Sequence, residues 1–369
     1  MFFFPFTDQI AAFKIIMLAL WWGAATSKLN HHFPYVVAVM MSNNALLRSK
    51  AFGWFKRRLY RDPSTTCAPP GCQRFWRTSA APPRNSLCRA SGVRRRRAAV
   101  AVDTDRLHGD LPPQHHFQPP HGVPLEWNVF FIFSLFYLFG HYSAIDATDL
   151  QAPLLLAILI VALAVVPVVG NLLPERVSFL PAMRYYAGNW ATSIWCFRTG
   201  AEEKLEASIV KSSPLVAKQL AKLYGAKTAE IMADKVAAFR AMHAHGRALN
   251  GLLPRAIPNE AEYTVREGEV VAGPLIGWNF GEGHLHNEQL LEAVQRRCQF
   301  QEGDVRVVIL EGQPIQTQKQ WYRIVDAKGG PIEEGYVRVE DMLSRQPWPE
   351  PGDKFPVYPT TQHTDTAPR

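Results

Sequence analysis

Side chains able to carry chemistry are densest in residues 278–289, which read WNFGEGHLHNEQ. His284 and His286 point the same way if this run is extended, because side chains alternate along a strand. Histidine exchanges protons near neutral pH, so we predict that these two residues are catalytic. Asn279 and Glu282 lie in the same run and are predicted to contribute to binding.

Two other interpretations of residues 278–289 stay open. Glu282 and Glu288 could join the two histidines in a metal site, because imidazoles and carboxylates are common metal ligands. Alternatively the run is structural, with His286 and Asn287 at the start of a helix. No HExxH, phosphate-binding loop or GxSxG motif occurs in the sequence, so we assign no metal and leave the cofactor unknown.

A second candidate is a cationic helix face. Arg240, His243, Arg247 and Asn250 are spaced i, i+3, i+7 and i+10, which places them on one side of a continuous helix. Such a face suits an anionic lipid headgroup, a phosphate or an acidic protein surface, although an ordinary solvated face has the same pattern. His243 and His245 would point in opposite directions on that helix, because two residues turn it by about 200°.

Lys28 is the third candidate, since it directly follows an apolar run and precedes Asn30, His31 and His32. We predict that it is a base or an anion contact at the membrane edge. The alternative is an interfacial cap in which the ammonium group reaches the headgroup layer.

Long apolar runs must position these residues. Three of them predict membrane spans, at residues 10–26, 127–142 and 152–173. Lys14 interrupts the first run and is expected to snorkel to the interface. The aromatic run 179–197 contains Arg184 and Asn189, and it either spans the membrane or lies along its surface.

The formal net charge of +8 does not indicate a nucleic-acid-binding protein. Residues 63–121 hold nine Arg, three Asp and neither Lys nor Glu, so they contribute +6, and no basic domain remains elsewhere. This stretch is either disordered or a reading-frame artefact. Codons one nucleotide later permit an apolar run that leads into residue 122, and the nucleotide sequence tests this hypothesis.

The patterns predict an α-helical multi-pass membrane region followed by a helical segment and a small α+β soluble domain. Alternating segments predict strands near 262–271, 304–310, 321–326 and 334–339, and residues 287–298 predict a helix capped by Asn287. The expected boundaries are 1–62 and 122–199 for the membrane parts, 200–255 for the helical segment, 256–348 for the α+β domain and 349–369 for a disordered tail.

Several motifs resemble a bacterial family of multi-pass transmembrane proteins with a domain of unknown function. They are WGAATSKLNHHFP at 22–34, KRRLYRD at 56–62, VPLEWN at 123–128, HAHGRAL at 243–249 and GWNFGEGHLH at 277–286. The resemblance covers 9–62 and 122–348 and fails across 63–121, and it implies a chain truncated at its N-terminus. The segment ATSKLN at 25–30 is also similar to horizontally transferred transmembrane domain proteins, which implies a base role for Lys28.

Together these features predict an inner-membrane protein whose Lys-rich C-terminal region is cytoplasmic. Its expected partners are membrane lipids, and nucleic acid is not expected. The function we expect is to bind, transfer or modify a lipid or isoprenoid-like molecule at the membrane–cytosol boundary. The alternative is a non-enzymatic scaffold whose tail recruits a cytosolic protein.

Overall fold

A computed structural model describes residues 3–27, 32, 129–184, 189–241, 243–277, 285, 287–314, 317–343 and 355–362. Several predicted features lie outside these ranges: the segment 63–121 and the candidate residues Lys28, Asn279, Glu282, His284 and His286. The predictions made for them therefore stay predictions.

Three apolar helices come first, α1 (Phe6–Ser27), α2 (Val129–His141) and α3 (Pro153–Leu172). In the described part of the chain, α3 alone is long and apolar enough to cross a membrane. The described part of α2 is about 20 Å long at 1.5 Å per residue, against a hydrocarbon layer of about 30 Å. The expected multi-pass arrangement is thus not established by the helices themselves.

The two charged side chains of α1 close the ends of its neighbours. Asp8 accepts hydrogen bonds from the backbone N–H groups of Gln151 (2.6 Å) and Ala152 (3.4 Å), where α3 begins. Lys14 donates to the carbonyl of Tyr142 (2.8 Å), just after α2, and to that of Ile145. Lys14 is only 4% exposed, and its snorkelling to the membrane interface stays a prediction. Its partner is the loop that joins α2 to α3.

A six-stranded antiparallel sheet forms the C-terminal half, in the order β2–β1–β3–β4–β5–β6. Its strands are β1 (Thr192–Arg198), β2 (Tyr263–Glu267), β3 (Val305–Leu310), β4 (Lys319–Asp326), β5 (Gly330–Arg338) and β6 (Tyr358–Gln362). The run 179–197, for which a membrane span was one interpretation, ends in β1. That strand lies between two others and buries Trp195 and Phe197. Likewise β6 lies within the predicted disordered tail.

Seven helices are described in this half: α4 (Ala201–Ser208), α5 (Val216–Tyr224), α6 (Ala226–Ala241), α7 (Ala244–Ala256), α8 (Gly268–Ile276), α9 (Glu288–Cys298) and α10 (Val339–Leu343). Five of them pack on the two faces of the sheet. Residues of α7 and α10 share one apolar core with alternate residues of β1, β3, β4 and β5. Residues of α4, α8 and α9 share the other core with the opposite faces of β1, β3 and β4.

Cys196 belongs to the α7 core and is fully buried. Burial raises the pKa of its thiol to about 12, and the nearby Glu260 acts in the same direction. Since the thiolate is the reactive form, Cys196 is an inert core residue in the folded protein.

Candidate functional site

The candidate polar residues lie at one end of the sheet. Thr192 at the start of β1 lies opposite Leu310 at the end of β3, and Ile194 lies opposite Glu267 at the end of β2. At the other end, Arg306 Nη1 donates to the carbonyl of Ala256 (2.9 Å), so the C-terminus of α7 lies there. The N-terminus of α7 is therefore directed toward the first end, which we call the junction end.

The chain that follows α3 is fastened to the junction end. Arg184 is 2% exposed, and its Nη2 donates to the carbonyls of Pro174 (3.1 Å) and Val177 (2.7 Å). Its guanidinium lies so close to Gly312 that a Cβ there would overlap it. Asn189 and Gln313 exchange two hydrogen bonds, of 2.7 and 2.8 Å. The junction end thus directly adjoins the end of the apolar helices.

Arg240 at the end of α6 is already paired. Its Nη2 lies 3.0 Å from Glu269 and 3.3 Å from Glu267. Burial alone would lower the pKa of Arg240, but Glu269 and Glu267 raise it above its ordinary value. Burial also raises the pKa of Glu267, and the charge of Arg240 only partly offsets this effect. Two carboxylates therefore oppose one guanidinium, and Arg240 is not an open anion contact.

Two histidines stack beside Arg240. The ring centroids of His243 and His245 are 5.4 Å apart, and the Trp190 ring lies 4.5 Å from His245 and 6.2 Å from His243. Arg240 Nη1 lies 3.4 Å from Nε2 of His245. Because arginine has no acceptor, Nε2 of His245 is the acceptor in any hydrogen bond across this contact.

The cluster exists because the predicted continuous helix is broken. α6 ends at Ala241, His243 is extended (φ −83°, ψ 155°), and α7 begins at Ala244. The first turn of α7 then folds back against α6, where a Cβ at Gly246 would overlap the carbonyl of Arg240. The prediction that His243 and His245 face opposite ways is therefore wrong, because they do not lie on one regular helix.

Arg247 and Gln320 complete the group of buried and partly buried residues at the junction end. We call this group the buried cluster: Trp190, Arg240, His243, His245, Arg247 and Gln320. Arg247 is only 2% exposed, so the interpretation of a solvated helix face does not hold for it. Gln320 is fully buried on the sheet face under α7, near the start of β4. Neither its amide nitrogen nor its amide oxygen meets a partner within the described ranges. A buried amide without partners costs about 1–3 kcal/mol, and so Gln320 calls for an explanation.

Sequence reasoning found part of this cluster. It singled out Arg240, His243 and Arg247, all of which lie near the N-terminus of α7. It did not assign Trp190, His245, Arg184 or Gln320 to a site, and no local pattern around them marks them as partners of this cluster. Whether the run 278–289 meets the cluster stays a prediction. Where the chain is described, no group of three metal-ligating side chains occurs.

The sequence matches, over residues 1–360, a family described as "Transmembrane protein of unknown function (DUF3556)". The chain belongs to this family. No curated protein and no solved structure matched it. The matched range includes residues 63–121, where the motif resemblance had stopped, and the reading-frame hypothesis for that stretch stays a prediction. Membership identifies a transmembrane protein, in agreement with the length and composition of α3.

Proposed function

We propose that this protein binds a lipid or isoprenoid-like molecule whose polar headgroup enters the buried cluster at the junction end. The observation that carries the proposal is the position of the cluster, where the chain leaving α3 is fastened to the sheet. A lipid lying beside the apolar helices would have its headgroup next to the end of α3, which adjoins the junction end. The protein is proposed to be multi-pass, with the sheet domain in the cytoplasm.

The side chains present define the chemistry. Arg247 supplies a buried guanidinium, which binds phosphate or carboxylate oxygens in a bidentate manner. Gln320 supplies one amide donor and one acceptor. His243 stacks on His245 in the same cluster, and we assign it to any proton exchange with the bound molecule. Arg240 with Glu267 and Glu269 forms the wall of the site.

Gln320 gives the sharpest test, because the structural and functional roles predict opposite results. The full-length protein is purified in mild detergent, and co-purifying lipid is quantified by mass spectrometry. If Gln320 binds a headgroup, Gln320→Leu loses that lipid several-fold. If its amide is merely buried without partners, Gln320→Leu raises the melting temperature and leaves the bound lipid unchanged.

Arg247→Gln should lose the same lipid, and Arg297→Gln is the matched control, because Arg297 is exposed on α9. Lipid retention in both Gln320→Leu and Arg247→Gln, or no retained lipid in the parent protein, would refute the proposal.

A scaffold that recruits a protein is the second candidate function, and α5 favours it. None of its residues is buried, Leu223 is 71% exposed, and Val210 before the helix is 96% exposed. Lys218 and Lys222 lie on the same helix, so the surface suits a partner with apolar and acidic residues. Replacing Leu223 with Ser should abolish partner capture without changing the lipid content, which separates the two functions.

A further inference from the structure

An exposed stripe of aromatic residues crosses the last three strands. Trp321 lies opposite Tyr336, which lies opposite Tyr358. The ring centroids are 5.5 Å apart in the first pair, which is edge-to-face, and 4.9 Å apart in the second, which is stacked. Lys319 Nζ lies 4.7 Å from the centre of the Tyr336 ring, and Arg338 Cζ lies 4.7 Å from that of Tyr358. We call these five residues the aromatic stripe.

The stripe lies on the face of the sheet that carries α4, α8 and α9. Those helices share a core with β1, β3 and the end of β4, whereas Trp321 stays 43% exposed and both cations are exposed. Tyr336 and Tyr358 are half-buried. A large aromatic surface with flanking cations is therefore left open beyond the part of this face that the helices cover.

The stripe is also at the junction end. The carbonyl of Trp321 accepts from the N–H of Glu311 (2.8 Å), which immediately precedes Gly312 and Gln313. Those two residues contact the chain that leaves α3, at Arg184 and Asn189. That chain in turn folds back on α3, where Asn171 Nδ2 donates to the carbonyl of Ala182 (2.7 Å). A short series of contacts thus connects the stripe with the end of the apolar helix.

We propose that the aromatic stripe docks the sheet domain on the interfacial layer of the bilayer that α3 crosses. Trp and Tyr concentrate at this layer because one part of each ring system is apolar and the other is polar. Lys319 and Arg338 are placed to contact lipid phosphates beside them. This docking is independent of any ligand in the buried cluster.

Net charge does not drive the docking. Glu340 and Asp341 follow Arg338 in sequence, and Asp341 accepts from the hydroxyl of Tyr358 (3.1 Å), so the formal charges around the stripe balance. We therefore expect docking on zwitterionic phosphatidylcholine as well as on anionic lipid, with contacts to phosphate groups and aromatic burial as the common features.

Two fluorescent probes test the proposal in the full-length chain with Cys67, Cys72 and Cys88 replaced by Ser. One probe is attached at Glu340→Cys beside the stripe, and the other at Lys328→Cys in the turn after β4. β4 is about 23 Å long at 3.3 Å per residue, so the second probe is far from the junction end. The protein is placed in phosphatidylcholine nanodiscs that contain headgroup-spin-labelled lipid. Quenching should be several-fold stronger at position 340 than at 328.

The second part of the test measures the same quenching in charge-reversed variants. The double variant Lys319→Glu, Arg338→Glu should reduce quenching at position 340 to the level at 328, because both carboxylates repel lipid phosphates. The double variant Lys222→Glu, Arg297→Glu makes the same charge change elsewhere and should leave quenching unchanged. Protection of Cys196 from thiol reagents confirms that each variant is folded. Equal quenching at the two positions, or quenching at 340 that survives the first reversal, would overturn the proposal, and the stripe would then only stabilise the sheet.

Discussion

At the scale of single residues, Arg240 determines what the junction end can bind. Its guanidinium is held between Glu267 and Glu269, so its contribution is to neutralise two partly buried carboxylates. An incoming anion would have to compete with both. We therefore give Arg240 a structural role in the cluster. The assignment of headgroup binding rests on the amide of Gln320, which has no partner in the described part of the chain, and on the burial of Arg247.

The variant Arg240→Met should therefore destabilise the folded chain by about 3–5 kcal/mol, the usual result of removing one partner from a buried ion pair. The loss should grow with pH. Burial already raises the pKa of Glu267, and without Arg240 that pKa rises further. A carboxyl whose pKa is raised in the folded state loses stability as pH rises from its unfolded value through its folded value.

Thermal unfolding in detergent between about pH 4 and pH 8, a range that brackets the ordinary glutamate pKa, measures this effect. The control is Arg198→Met, which breaks the exposed pair with Glu262, where both side chains are about half exposed, and should cost at most about 1 kcal/mol. A melting temperature of Arg240→Met that matches this control, or that does not fall as pH rises, would contradict the paired arrangement.

At the scale of elements, α1 acts as a clamp on the hairpin of α2 and α3. A carboxylate at the start of α3 and an ammonium group after the end of α2 both match the helix dipoles. Lys14→Met should leave the carbonyl of Ile145 without its Lys14 donor, at about 1–3 kcal/mol, whereas the carbonyl of Tyr142 keeps the N–H of Ile145 as a donor (3.2 Å). We expect faster proteolysis of the loop 142–152 and a lower melting temperature.

Lys14→Arg should recover part of this loss, because a guanidinium can still donate to carbonyls. The comparison is Lys222→Met on the exposed end of α5, which should behave as the parent protein. Proteolysis of Lys14→Met at the parental rate would show that the clamp does not hold the loop.

The elements also show how far the sequence predicts the fold. The strands β3, β4 and β5 and the helix α9 follow from alternation and from Asn287, whose side chain accepts from the N–H of Gln289 (3.1 Å). These signals are local. The break between α6 and α7 was missed because it depends on Gly246 packing against Arg240. β1 and β6 were missed because an aromatic run and a Pro-containing tail become strands only through pairing with distant partners.

The candidate site was harder to predict for the same physical reason. Periodicity placed Arg240, His243 and Arg247 on one helix face, and the structure does bring them to one end of the sheet. Their partners come from remote positions: Trp190 precedes β1, Glu267 ends β2 with Glu269 two residues later, and Gln320 is the second residue of β4. No spacing rule within one segment could have assembled that set.

At the scale of the whole molecule, the contacts between helices fix which ends lie together. The start of α1 meets the end of α2 and the start of α3 through Asp8 and Lys14. The other end of α1 meets the chain after α3, since a Cβ at Gly23 would overlap Met183. The chain that leaves α1 and the sheet domain that follows α3 therefore emerge at the same end of the helices.

This arrangement predicts that the basic stretch 47–61 and the Lys-rich stretch 204–235 lie on one side of the membrane. The excess of Lys and Arg in both stretches predicts that this side is the cytoplasm.

Single Cys residues introduced at Lys56 and at Lys222, with Cys67, Cys72 and Cys88 replaced by Ser, should both resist a membrane-impermeant thiol reagent in intact cells. Both should react after permeabilisation. A Cys introduced at Thr148, in the loop held by α1, should show the opposite behaviour, because that loop lies at the other end of the three helices. Labelling of positions 56 and 222 from opposite sides would show that the contact between α1 and the chain after α3 does not reflect the arrangement in the membrane.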